Sequence, residues 1–103
     1  MIPAPLTFGE LRDRLIGAEE YARTFAGLPE PVASVLLDEV QAAGERVRRA
    51  TAAANRTRPI ARHEPPTPEL AAIFAGATDQ IVLNGRALRT LWECSAVAPE
   101  VRA

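Results

Sequence analysis

The chain has 103 residues, a net charge of −1 and 48% hydrophobic residues, a size that predicts one helical domain over 1–103 with room for a single core. Twenty of the apolar residues are Ala and only 28 are large, so the core is lean, and self-association or docking on a larger protein is the expected way to complete it. All twelve basic residues are Arg, which excludes Schiff-base chemistry and a Walker-type lysine. The single Cys excludes an internal disulfide, and no apolar run approaches the roughly 20 residues of a membrane span.

Residues 1–6 read as a Pro-bearing arm with neither the basic start nor the apolar run of a secretion signal, so a cytoplasmic location is expected. The first helix is predicted over about 7–26. Phe8, Leu11, Leu15, Ala18, Ala22 and Phe25 recur every three or four residues, which places them on one helical stripe. Thr7 and Glu10 have the spacing of a capping box, and Leu6 and Leu11 that of a hydrophobic staple. Arg12, Asp13, Glu19, Glu20 and Arg23 fall on the side expected to face water. Gly27 is expected to end the helix as a left-handed C′ residue, with Leu28 making the accompanying apolar contact and Pro29 blocking continuation.

A second helix is predicted from Pro31, a residue suited to the first turn, to about Asn55. Its stripe is Leu36, Val40, Ala43, Val47, Ala50 and Ala54, thin and Ala-rich in its second half. The short connection 27–30 predicts that the first two helices fold back as an antiparallel hairpin. Residues 55–67, interrupted by Pro59, Pro65 and Pro66, read as an extended linker.

Thr67 and Pro68 open a third helix predicted over about 68–96, with the stripe Leu70, Phe74, Ala77, Ile81, Asn84, Leu88 and Leu91. Gly76 and Gly85 each cost about 1 kcal/mol relative to Ala in a helix. A break at Gly76, with Thr78 or Asp79 recapping, is therefore an alternative to one continuous helix. A second alternative is a hairpin at Ile81–Arg86 around Asn84-Gly85. The helical spacing of Leu88, Leu91 and Trp92 favours the helix. The fold expected is all-α: a small three-helix bundle or an oligomeric helical assembly.

Charge is segregated along the chain. Residues 1–45 hold eight acids and three Arg, whereas residues 46–63 hold six Arg, the only His and no acid. Arg46, Arg49, Arg56, Arg58 and Arg62 therefore form a candidate basic patch, three of them on one helical face, and phosphate contact with nucleic acid is one reading. The other is electrostatic pairing within the chain or with a partner, helped by the complement between acids early in the second helix, Arg late in it and the helix dipole. No aromatic residue lies among these Arg residues to stack on bases.

Asn84 on an apolar stripe is a candidate device for fixing register or partner number, unless a bend at Gly85 leaves it in water. Leu88, Leu91 and Trp92 continue the same candidate interface, and Tyr21 is a second aromatic anchor. His63 and Cys94 would need to meet to act as a nucleophile pair. No second His or Cys completes a metal site, no cofactor motif is present, and Glu19-Glu20 reads as a solvated helix face. Arg62–Pro68 has only the loose spacing of a proline-rich ligand, and the apolar opening of the second helix fits a helix-turn-helix poorly. The function expected is non-catalytic: an accessory or assembly subunit that buries helical stripes against itself or a larger protein, with a nucleic-acid-associated regulator as the alternative.

Overall fold

The computed structural model describes residues 5–102, with side chains through Ser95; four of the six arm residues lie outside it. Three helices follow one another: α1 (Phe8–Arg23), α2 (Pro31–Thr57) and α3 (Pro68–Arg102). No strand occurs among the described residues. The all-α three-helix expectation is what the structure shows, and the hairpin at Ile81–Arg86 does not form, because those residues lie within α3.

α3 is the spine. Phe8 meets Phe74 edge-on with ring centroids 5.8 Å apart, and Phe25 approaches Trp92 at 6.3 Å, so α1 runs parallel to α3. α2 runs antiparallel to both, since Asn84 reaches the Leu36 carbonyl near the start of α2 while Ile73 and Gly76 line a groove with Arg46 and Arg49 further along it. Phe8, Leu11, Leu15, Val40, Val47, Leu70, Phe74, Ile81 and Leu88 make up most of the core. Nearly all belong to the stripes that the 3.6-residue repeat defines. The layer is thin: its principal extents are 59 × 33 × 16 Å.

The start of α1 is held from two directions. Within the helix, Thr7 Oγ1 accepts from the Glu10 amide at 3.2 Å and Glu10 Oε1 accepts from the Thr7 amide at 3.0 Å, which completes the expected capping box. From outside, the Phe8 and Gly9 amides donate to the carbonyls of Glu64 and Arg62 at 2.7 and 2.9 Å. These amides lack partners inside the helix, so the linker supplies what the first turn leaves open. The linker is therefore docked on α1, with Asn55 Oδ1 accepting from the Ile60 amide at its entrance. At its exit Thr67 Oγ1 accepts from the Leu70 amide at 3.3 Å, as its capping position predicts.

Several expected boundaries move. α2 continues to Thr57, so the connection begins at Arg58 rather than 55. α3 passes through Gly76 and Gly85 unbroken and ends at Arg102 rather than 96. Packing explains the continuity, because Phe74, Ala77, Ile81, Asn84 and Leu88 are all buried and hold the helix across both glycines. Gly27 is not a left-handed cap, since no glycine among the described residues has positive φ. Instead α1 unwinds through tight turns, with the amides of Thr24, Phe25, Ala26 and Leu28 each donating three residues back.

Candidate functional site

Among the described residues two polar side chains, Glu19 and Asn84, are buried, and each pins one helix seam. At the α1–α2 seam the Glu19 side chain is 1% exposed and accepts from Arg48 Nη2 and Nη1, at 2.7 and 3.1 Å. Arg23 adds a weaker contact at 3.4 Å. The paired hydrogen bonds raise the Arg48 pKa above its ordinary value. The carboxylate fits because Gly44 has no side chain: a Cβ there would run into Glu19 and lie 2.6 Å from an Arg48 nitrogen. The sequence predicts Glu19 in water; this glycine seat buries it instead. One signal in the sequence points there: Glu19 falls between Leu15 and Ala22 at spacings of four and three, as good a core position as Ala18.

At the α2–α3 seam Asn84 is 4% exposed. Its Nδ2 donates to the Leu36 carbonyl and to Glu39 Oε1, both at 3.0 Å, while its Oδ1 accepts from Gln80 at 2.9 Å. The helix is unbroken here, and of the two expected fates the amide takes the paired, buried one. Its partners across the seam lie within the chain, at the start of α2. Leu88 is fully buried beside it, Leu91 is half-buried and Trp92 is exposed on one side. Tyr21 lies against Gly85 and meets the Phe25 ring edge-on at 5.5 Å.

The Arg cluster disperses. Arg49 pairs with Glu45 at 3.7 Å, Arg62 with Asp13 at 3.3 Å, and Arg58 with Glu64. Arg46 and Arg56 are exposed and make no ion pair among the described residues. His63 and Cys94 are not brought together. His63 is in the linker segment docked on Phe8, whose ring meets Phe74, and Cys94 lies twenty residues further along α3, about 30 Å at 1.5 Å per residue.

Large apolar side chains are exposed on two sides: Tyr21, Val82 and Trp92 beside the α1–α3 seam, and others on α2 and α3 away from it. Val32, Val35 and Leu83 are 54, 57 and 59% exposed. Val32, Val35 and Glu39 share one side of α2 by their spacing, and Glu39 bonds Asn84, the neighbour of Leu83. Leu83 precedes Asn84, which faces α2, while Gly85 on the other side of Asn84 faces Tyr21 of α1, so Leu83 turns away from α1. Further along, Arg46, Arg49, Ala72, Ile73, Gly76 and Ala77 line a groove of about 460 Å³. No helix among the described residues is long and apolar enough to cross a membrane. Comparison with family models, curated proteins and solved structures returns no match.

Proposed function

We propose that this chain is a helical interaction protein, a small accessory or assembly subunit that works by covering the outer flank of α2 and α3 with another helical surface. The observation that carries this reading is the exposure of Val32 and Val35 on α2 and Leu83 on α3, each more than half exposed. Single exposed apolar residues are ordinary on a surface, whereas several large ones on neighbouring helices favour a contact face. Buried polar groups at both inner seams are fully paired, with no buried side-chain polar atom left without a partner among the described residues. The interior is thus complete while the flank is not.

The nucleic-acid reading loses support from the same geometry. Three members of the expected Arg patch sit beside carboxylates that compete with phosphate for them. A cytoplasmic setting is part of the same proposal.

A photo-crosslinking amino acid placed at Leu83, or at Arg14 on the exposed side of α1 as control, tests the reading in the producing cells. Adducts at position 83 and not at 14 are expected. Equal labelling at both positions, or none at either, overturns the reading.

A further inference from the structure

The outer stripe of α2 has an internal symmetry. Pro31, Val35, Asp38, Ala42, Arg46, Arg49 and Ala53 are all exposed and recur at spacings of four, three, four, four, three and four. The spacing reads the same in both directions about Ala42. Charge reverses across that point, with Asp38 four residues before it and Arg46 four residues after. Neither makes an ion pair among the described residues. The neighbouring Arg48, by contrast, is committed to Glu19 on the inner side.

We propose that the flank of α2 and α3 docks a second copy of this chain about a twofold axis near Ala42, so that Asp38 of each copy faces Arg46 of the other. In an isologous contact residue i meets j while j meets i, and this stripe satisfies that rule for opposite charge. The small side chain of Ala42 at the crossing lets the two α2 backbones approach closely. The same rotation sets Val35 of one copy opposite Arg49 of the other, at the groove that Ile73 and Gly76 help to line. The stripe from 31 to 53 is about 33 Å long and two helices are about 20 Å wide. That offers on the order of 650 Å² per copy, so about 1,300 Å² in total, within the range of specific interfaces.

The inference rests on the interaction reading above and names its occupant. Sedimentation equilibrium of the full chain, Asp38→Arg, Arg46→Asp and their equimolar mixture tests it, with circular dichroism confirming that each variant folds. The wild type is expected to dimerise. Each single variant is expected to dimerise about a hundredfold more weakly, because two like-charged contacts replace two opposite ones. The mixture is expected to form a heterodimer of wild-type strength, since position 38 of each variant then faces the opposite charge at position 46 of the other. The double variant Asp38→Arg/Arg46→Asp regains the homodimer and stands in should one single variant fail to fold. A wild type that stays monomeric, single variants that dimerise as well as the wild type, or a mixture that does not recover, each overturns the twofold. Should the chain be monomeric while the crosslinker at position 83 still labels, the occupant is a different protein, and only the second-copy inference falls.

Discussion

The two sides of α2 are built from the same residue types and end in opposite states. On the inner side Val40, Ala43 and Val47 are buried, Gly44 admits the Glu19 carboxylate, and Arg48 is held by it. On the outer side Val35, Ala42 and Arg46 are exposed, and Arg46 makes no ion pair among the described residues. Arg46 and Arg48 are two residues apart, which puts them about 200° apart around the helix. A lean, Ala-rich chain thus satisfies one flank of this helix internally and leaves the other exposed.

The largest expected contrast is in packing. Phe74→Ala removes a buried ring that meets Phe8 and should lower unfolding free energy by about 3–5 kcal/mol. Val35→Ala should change it by less than about 0.5 kcal/mol at a dilution where copies are separate. Urea melts compare the two, and an equal loss would erase the distinction between the flanks.

Next comes charge. Arg48→Met leaves Glu19 buried beside Arg23 alone and should cost about 2 kcal/mol, less than a wholly buried pair because Arg48 itself is half in water. Arg46→Met should leave the separated chain's stability unchanged while weakening its self-association. Chemical denaturation at low and high protein concentration distinguishes the two effects.

The glycines sharpen the comparison further. Gly76→Ala meets nothing within 4 Å and should stabilise the single copy by about 1 kcal/mol through helix propensity. At the same time it narrows the groove proposed to lie at the twofold contact. Gly44→Ala has the same propensity gain but places a methyl group against Glu19 and Arg48, so a net loss of about 1 kcal/mol is expected. Thermal melts with opposite signs for one and the same substitution are the outcome to look for.

The smallest effect lies away from both flanks. The Thr7 backbone amide, then the Thr7 hydroxyl, hold the Glu10 carboxyl below its ordinary value of 4.5. The folded pKa is depressed, so its stabilising contribution is complete above that value and disappears as pH falls through the folded pKa. Wild type and Glu10→Gln should therefore differ in denaturant midpoint at neutral pH and converge in acid.

The elements and their order were legible because apolar residues repeat at helical spacing in all three stretches, and because Thr7–Glu10 and Thr67–Pro68 are local start signals. Gly27 misled because a C-terminal glycine is a frequent signal and not an obligatory one; tight turns ended α1 instead. Glu19 was missed because helical periodicity cannot tell a polar residue beside a stripe from one inside it without knowing that Gly44 lies opposite. Asn84 could be placed on the stripe, but its partners on α2, Leu36 and Glu39, are more than forty residues away and only the folded chain unites them. The Arg cluster disperses only partly for that reason: Asp13 lies far from Arg62 in sequence, whereas Glu45 and Glu64 lie four and six residues from Arg49 and Arg58.

The proposed twofold sets the outer stripe of α2 against its own copy. Placing a cysteine at Ala42 in a Cys94→Ser background and oxidising mildly tests it most directly, because a disulfide needs Cα atoms within about 7 Å of each other. Rapid, near-complete conversion to a covalent dimer is expected at position 42, with little at a control cysteine replacing Arg14. Slow crosslinking at 42, no faster than at 14, would contradict the account.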